Sequence, residues 1–213
     1  MPAEAAARQC SLFDVAEPTI DSQFIGLNRT WLDDTAWVDH VFSWMSGADH
    51  VLTALVAELR WHQREVTMYQ RRLPEPRLTS WWDVRGGRPE PLPLLNEARR
   101  VLAGRYAKPF DSIGFNLYRD GSDSVAWHSD RERFEHEDPV VVILSTGATR
   151  HLRIRPSGGG PSRSWSLGHG DLLVMGGSCQ HDWQHCVPKS AQACGPRLSI
   201  MFRHHLAGHF AAG

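Results

Sequence analysis

Residues 139–177, PVVVILSTGATRHLRIRPSGGGPSRSWSLGHGDLLVMGG, carry the clearest indication of the fold class. They contain the short β-rich runs PVVVILST, HLRIRP, SRSWSL and DLLVMGG, which are separated by Gly, Pro and Ser. The segment SGGGPS at 157–162 predicts a loop or a hairpin tip, because Gly and Pro favour turns. Strands at such close spacing, with no helix between them, predict an antiparallel barrel or sandwich.

Further β-rich runs lie on both sides of this stretch, namely SIGFNLY at 112–118, HDWQHCV at 181–187 and RLSIMFRHH at 197–205. The N-terminal half instead shows helical patterns, and in the first of them Asp33 or Asp34 precedes the apolar residues and Gly47 follows them. The predicted helices are DDTAWVDHVFSWMSG at 33–47, DHVLTALVAELRW at 49–61 and LPLLNEARRVLAGRY at 92–106, the last ended by Gly104. We therefore predict an α+β fold whose N-terminal helices pack on a C-terminal β-core.

The composition is that of an ordinary globular protein, with 213 residues, 41% hydrophobic and 22% charged. This length predicts one domain, at 21–213, preceded by a flexible tail at 1–20. Within the domain we expect a helical and lid part at about 21–110 and the β-core at about 111–206. No apolar run approaches the roughly 20 residues of a membrane span, and the N-terminus lacks a secretory pattern. We expect a monomeric, cytoplasmic protein without membrane contact, and its four cysteines fit a reducing compartment.

The net charge of −1 does not indicate a nucleic-acid-binding protein, but the arginines are unevenly distributed. Residues 64–88 contain six arginines against three acidic residues, and a second cluster without acids is formed by Arg150, Arg153, Arg155 and Arg163. Each cluster is either a solvated face or a set of phosphate contacts. The second interpretation requires that both clusters flank the same cleft.

The segment VAWHSDRE at 125–132 predicts part of a metal site. His128 and Asp130 are two apart, so in an extended chain both side chains lie on the same face. A third ligand can come from His181 or His185, which both lie in the run HDWQHCV. Two imidazoles and one carboxylate leave three adjacent coordination positions open, an arrangement typical of non-haem Fe(II) that activates O₂.

Two arginines near the C-terminus suggest a dianionic cosubstrate beside this metal. Arg197 and Arg203 are six apart, so on a strand they share one face with their Cα atoms roughly 20 Å apart. A guanidinium pairs well with a carboxylate, and two of them aimed inward favour a small dicarboxylate. A dicarboxylate that also chelates iron through one end is 2-oxoglutarate.

In combination, these motifs resemble the signature blocks of the AlkB family of Fe(II)/2-oxoglutarate dioxygenases. The blocks are NLYRDGSDSVAWHSDRE, HGDLLVMGGSCQHDWQHCVPK and GPRLSIMFR, and EPRLTSWW resembles the substrate lid of the family. The resemblance covers about residues 61–203 and implies a double-stranded β-helix (jelly-roll) core. It implies that iron is bound by His128, Asp130 and, through the match DWQHCVPK, by His185 rather than His181.

The resemblance also implies the cosubstrate pocket. Arg197 with Tyr118 is expected to hold the distal carboxylate of 2-oxoglutarate, and Arg203 with Asn116 the end that chelates iron. The family strand often carries Asn and Thr where this chain has Ser199 and Met201. Ser199 can still donate a hydrogen bond to the cosubstrate.

The activity that the resemblance implies is oxidative demethylation of N-alkylated bases in single- or double-stranded DNA or RNA, with release of formaldehyde, succinate and CO₂. For the substrate we single out Trp81 or Trp82 as a stacking plate, with the other tryptophan packing, Glu132 as a reader of the base edge and Arg77 as a phosphate contact. The lid SWWDVRGGRPEPLP has no Tyr or Phe after Trp82, so two other readings remain open. The same iron centre can act on a small molecule or a protein, or the core can be a silent binding module.

Overall fold

The computed structural model describes residues 17–68, 71–130 and 138–204 of the chain. In this part of the chain, antiparallel strands dominate. In chain order the strands are β1 (Thr19–Ile20), β2 (Asn28–Trp31), β3 (Trp37–Val41), β4 (Met45–Ser46), β5 (Glu65–Met68), β6 (Arg71–Pro74), β7 (Leu78–Asp83), β8 (Ser112–Tyr118), β9 (Val125–His128), β10 (Val141–Gly147), β11 (Arg150–Pro156), β12 (Arg163–Leu167), β13 (Leu172–Gly176), β14 (Trp183–Val187) and β15 (Arg197–Arg203). The helices are α1 (Ala48–Glu58), α2 (Pro93–Tyr106) and the single turn α3 (Cys179–Asp182), and a 3₁₀ turn covers Val84–Gly86.

Two sheets form the body of the molecule. The major sheet has seven strands in the order β2-β3-β13-β10-β15-β8-β7, and the minor sheet has four in the order β12-β11-β14-β9. Strands that are far apart in sequence are neighbours in both sheets, and all the pairings are antiparallel. This arrangement agrees with a jelly-roll core, as the sequence predicts.

The two faces of the major sheet serve different purposes because strand side chains alternate. In β10, Val141 and Ile143 face the minor sheet, where they pack with its Leu152 and Ile154. The intervening side chains of the same sheet pack on the opposite side, in a larger cluster with the buried side chains of α1 and α2. The face of the major sheet that is turned to the minor sheet therefore brings residues of β8 and β15 close to β9 and β14.

The predicted helix at 33–47 is wrong. Residues 37–41 form β3, which pairs with β13 on one side and β2 on the other. Asp39, which would lie on the polar side of a helix, is fully buried and accepts two hydrogen bonds from the guanidinium of Arg29, at 2.6 and 2.7 Å. Long-range pairing with an already apolar strand thus overrides the local helical pattern.

The other two predicted helices are present with different ends. The predicted helix at 49–61 is α1, which ends at Glu58. The predicted helix at 92–106 is α2; it continues through Gly104 and is capped by Ala107 in the left-handed conformation, at φ 52°. The predicted strand at 181–187 begins with the last residues of α3. Among the described residues, no helix is long and apolar enough to cross a membrane.

At the N-terminus, Thr19 and Ile20 pair with β4, so the last residues of the predicted tail join the folded body. Residues 1–16, the rest of that tail, lie outside the described residues.

Candidate metal and cosubstrate site

Three side chains that can bind a metal converge between the two sheets. One ligand atom from each of His128, Asp130 and His185 lies within 4.8 Å of the others. His128 on β9 and His185 on β14 are directly opposite each other in the ladder, and their ring centroids are 4.2 Å apart. His185 Nε2 is 3.5 Å from Asp130 Oδ2. No other such cluster of His, Cys, Asp or Glu occurs among the described residues.

Strand pairing selects between the two candidate histidines. The structure brings His185 to His128 and Asp130, whereas His181 belongs to α3 and is not part of the cluster. His128 Nδ1 lies 2.9 Å from the carbonyl oxygen of Ala126. In the tautomer that donates this bond, Nε2 keeps its lone pair for a metal, as in other metal sites where a ligating histidine donates through its other nitrogen.

Burial keeps the second imidazole neutral. Desolvation, and then the electrostatic effect of His128, lower the pKa of His185 to about 3 against the opposing effect of Asp130. A neutral imidazole is the form that binds a metal, so His185 needs no deprotonation at physiological pH.

Asp130 is fixed from two directions. Its backbone N–H donates to the side-chain oxygen of Gln180 at 3.0 Å, and its carboxylate accepts a hydrogen bond from Arg203 Nη2. Arg203 Nη2 also lies 3.8 Å from Met201 Sδ. Arg203 therefore lies between the carboxylate of Asp130 and the side chain of Met201, next to the metal-ligand cluster.

The residues predicted for the cosubstrate line one pocket with the metal-ligand cluster. On adjacent strands Arg197 is opposite Tyr118, and Ser199 is opposite Asn116, so all four face the minor sheet. This register gives the pocket its polar lining, because the intervening apolar side chains of the same two strands lie on the opposite face of the sheet.

The guanidinium of Arg197 is a buried positive charge, which favours binding of an anion. The side chain is 1% exposed, its Nε donates to Ser145 Oγ at 3.0 Å, and its Nη1 has no hydrogen-bond partner among the described residues. Desolvation lowers the pKa of Arg197, and desolvation likewise raises the pKa of the neighbouring Tyr118 phenol. A carboxylate bound here would satisfy Nη1, so the residues present fit a dicarboxylate.

Met201 takes a role that the sequence did not predict. Asn116 Nδ2 lies 3.4 Å from Met201 Sδ, and the Met201 methyl group lies next to Gly114 on β8. A Cβ built on Gly114 would be 3.2 Å from this methyl carbon and 3.2 Å from the indole ring of Trp81. The missing side chain of Gly114 thus leaves space for both Met201 and Trp81.

The alternation of β7 separates the two lid tryptophans. Trp81 is opposite Gly114, on the pocket side of the sheet, and is half-buried. Trp82 is 5% exposed, belongs to the core cluster with the helices, and its indole N–H donates to the carbonyl oxygens of Arg88 and Pro89. Trp82 therefore packs in the core, and of the pair only Trp81 lies on the pocket side of the sheet.

The basic clusters contribute less than the sequence suggested. Arg150 is 4% exposed and donates to the carbonyl oxygens of Asp120, Asp123 and Pro188, and Arg163 donates to those of Trp31 and Leu32. Arg150 is therefore buried away from solvent, so it is not available to a phosphate. Arg163 is exposed, and its interpretation as a phosphate contact stays a prediction.

Two further predicted contacts have a different outcome. Arg77 forms an ion pair with Glu75 at 3.3 Å, with a side chain 15% exposed. Glu132, the predicted reader of the base edge, lies outside the described residues.

Two buried polar residues of the site were missed from the sequence. Ser145 follows the apolar run of β10 and binds Arg197, and Gln180 binds Asp130 N–H. Nothing in the local sequence marks either residue.

Comparison with known proteins agrees with this geometry. The family model described as the 2OG-Fe(II) oxygenase superfamily matches residues 27–203. The mouse protein named alpha-ketoglutarate-dependent dioxygenase alkB homolog 3 is 35% identical over 174 residues, which are 73% of this chain and 61% of the mouse protein. The human protein named DNA oxidative demethylase ALKBH2 is 26% identical over 197 residues, which are 86% of this chain and 75% of the human protein.

Among solved structures, the one titled "The structure of OsALKBH1" superposes with a TM-score of 0.55 at 14% identity, over 84% of this chain and 100% of that chain, which is a likeness of fold. The chain spans about three fifths of the length of the alkB homolog 3 proteins that it matches.

Proposed function

Because the chain belongs to the 2OG-Fe(II) oxygenase superfamily, and within it to the AlkB family, we propose that it demethylates N-alkylated bases of nucleic acid. The observation that carries the proposal is the convergence of His128, Asp130 and His185 in the same pocket as the buried Arg197. The names of the mouse and human relatives, a dioxygenase and a DNA oxidative demethylase, support the substrate class.

In this proposal His128, Asp130 and His185 would hold Fe(II) through two imidazole nitrogens and one carboxylate oxygen. The bound iron, with 2-oxoglutarate and O₂, would supply the oxidation of an N-methyl group, with release of formaldehyde, succinate and CO₂.

The protein residues hold and orient the reactants. Arg197, with the Tyr118 phenol beside it, binds the distal carboxylate of 2-oxoglutarate through the unsatisfied Nη1. Asn116 on β8 and Ser199 on β15 are opposite each other, and they bind the part of 2-oxoglutarate that lies nearer the metal. Arg203 orients the carboxylate of Asp130 and adds positive charge where the other end of the cosubstrate binds.

For the substrate we propose that Trp81 stacks on a flipped or single-stranded base. An N-methyl group on the Watson–Crick edge is inaccessible in a duplex, so the base must leave the stack. Arg72 on β6 has an exposed side chain, 3.5 Å from Glu65, and is a candidate phosphate contact, together with Arg77 if a phosphate displaces Glu75. We also propose that the protein acts as a monomer.

The test is an incubation of the protein with Fe(II), 2-oxoglutarate and O₂ and an oligonucleotide that carries one N1-methyladenine or N3-methylcytosine. Single-stranded and duplex DNA and RNA are compared, and oligonucleotide mass, formaldehyde and succinate are measured. We expect demethylation of at least one form, with an unmethylated oligonucleotide as control. Succinate without any change in oligonucleotide mass would favour the small-molecule or protein substrate instead.

The ligand assignment is tested in the same assay with a matched pair of variants. His185→Ala should abolish Fe(II)-dependent succinate formation because it removes a ligand from the cluster. His181→Ala should keep most of it, since His181 lies on α3 outside the cluster. The opposite order would reject His185 as a ligand.

A further inference from the structure

The segment 178–183, which connects β13 to β14, contacts the metal-ligand segment at two points. The side-chain oxygen of Gln180 accepts the backbone N–H of Asp130 at 3.0 Å. The carbonyl oxygen of Trp183 accepts the hydroxyl of Ser129, the residue between His128 and Asp130, at 2.9 Å. The third member of the cluster, His185, follows two residues after Trp183, so this short segment contacts Ser129 and Asp130 and leads directly to His185.

Asp130 depends on such side-chain contacts for its position. The ladder between β9 and β14 reaches only to His128, and Asp130 lies two residues beyond the end of β9. Its backbone is held by Gln180 and its carboxylate by Arg203. Because the direction of a side chain follows from the backbone, a shift of the Asp130 N–H would move its carboxylate away from the two imidazoles.

Gln180 is well suited to hold this backbone group. It is fully buried, and its Nε2 lies 3.9 Å from Met175 Sδ on β13. A buried carboxamide costs free energy unless its polar atoms are bonded, and the Asp130 N–H is buried as well. The bond between them therefore satisfies two buried groups at once.

The segment is anchored from outside by Asp33. One carboxylate oxygen of Asp33 accepts the indole N–H of Trp183 at 2.7 Å, and the other accepts the backbone N–H groups of Thr35 and Ala36 at 2.8 and 2.7 Å. A hydroxyl bond of 2.8 Å between Thr35 and Ser178 fastens the beginning of the same segment. Both ends of 178–183 are thus attached to the loop between β2 and β3.

We propose that Gln180 is a positioning residue of the metal site, which holds Asp130 in the orientation that binds the metal, with Asp33 fixing the segment behind it. The inference rests on the proposed function in one respect, the role of Asp130 as a ligand. Groups that orient the ligands of a metal typically change its affinity by about 10–100-fold when they are removed.

The experiment titrates the metal-free protein with Co(II), without 2-oxoglutarate, and follows the visible absorption of the bound ion. Gln180→Leu keeps the approximate shape of the side chain but has no acceptor, so we expect Co(II) to bind about 10–100-fold more weakly. The matched control is Gln184→Leu on β14, whose half-buried carboxamide bonds Arg155 at 3.3 Å instead, and whose Co(II) affinity should not change. Gln180→Glu keeps an acceptor oxygen and should bind Co(II) more tightly than Gln180→Leu.

Thermal unfolding of the metal-free variants separates positioning from simple stability. A merely structural Gln180 would lower the midpoint of unfolding and leave the Co(II) affinity of the folded protein unchanged, which would overturn the proposal. Equal affinities of Gln180→Leu and Gln180→Glu would also overturn it. If Gln180→Leu does not fold, Gln180→Asn decides, because its shorter amide retreats from Asp130 N–H; wild-type affinity in that variant is the overturning result.

His128→Ala distinguishes this inference from the proposed function. If His128→Ala binds Co(II) as wild type does, the ligand assignment itself fails. If His128→Ala loses Co(II) while Gln180→Leu keeps it, only the positioning role of Gln180 fails.

Discussion

Arg197 is the residue whose environment says most about the ligand of the pocket. A fully buried guanidinium without a carboxylate partner is expensive to desolvate, and proteins keep such a group where a ligand completes it. Ser145 bonds only Nε, and Tyr118 offers its ring at 5.3 Å from the guanidinium carbon. A carboxylate that binds Nη1 would offset part of this desolvation cost.

The first prediction follows from this residue. Arg197→Ala should raise the 2-oxoglutarate concentration for half-maximal succinate formation at least about tenfold, which corresponds to ~1.4 kcal/mol. Arg100→Ala, on the exposed side of α2, is the control and should leave that concentration as in the wild type. An unchanged requirement in Arg197→Ala would remove Arg197 from the cosubstrate pocket.

At the scale of one element, β7 shows how strand alternation divides neighbouring residues between two functions. Trp81 points to the side of the sheet that holds the metal-ligand cluster, and Trp82 points to the helices. The ring of Trp81 lies against Gly114, where a larger residue would force it to move. The strand therefore has one tryptophan on the pocket side of the sheet and another that packs in the core.

The second prediction compares alanine variants of these two tryptophans. Trp82→Ala should lower the free energy of unfolding by about 3–5 kcal/mol because it empties a buried site. Trp81→Ala should change stability less and weaken the binding of a methylated single strand by about 1–3 kcal/mol through loss of stacking. Unfolding in denaturant and oligonucleotide binding at fixed salt measure the two effects. A larger binding loss in folded Trp82→Ala than in Trp81→Ala would contradict the assignment.

For the whole molecule, the site lies between the two sheets, so binding of metal and cosubstrate links them. His128, Asp130 and His185 belong to the minor sheet or its edge, and the arginines belong to β15 of the major sheet. A ligand that contacts both sheets stabilises only the folded arrangement. Stability should therefore depend on ligand concentration.

The third prediction uses this linkage. Mn(II) with 2-oxoglutarate in the absence of oxygen, at about 100 times their dissociation constants, should raise the free energy of unfolding by about 2.7 kcal/mol per ligand. For a chain of this length, 1 kcal/mol corresponds to a midpoint shift of about 2–4 °C. Thermal unfolding measures the shift, and a chelator should reverse it. His128→Ala should show no shift with Mn(II), and a shift equal to that of the wild type would count against the metal site.

The amino-acid sequence by itself determined the relations that depend on local spacing. Residues two apart on a strand share a face whatever the strand pairs with, so the pairing of His128 with Asp130 was readable, and so was the common face of Arg197 and Arg203. The close spacing of the strands in residues 139–177, with no helix between them, indicated an antiparallel barrel or sandwich. Spacing alone left His181 and His185 open, and the resemblance to the AlkB family favoured His185.

Other features depend on which strands pair and which side chains become buried, and these are set by the tertiary structure. Residues 37–41 form a strand because β13 offers them a partner, and Arg150 is turned inward to three carbonyl oxygens rather than towards a substrate. The sequence alone does not distinguish Trp81 from Trp82. The pairing of β7 with β8 places Trp81 on the pocket side of the sheet and Trp82 on the other side. The physical reason is that these outcomes are set by contacts between residues far apart in the chain, whose energies no local pattern contains.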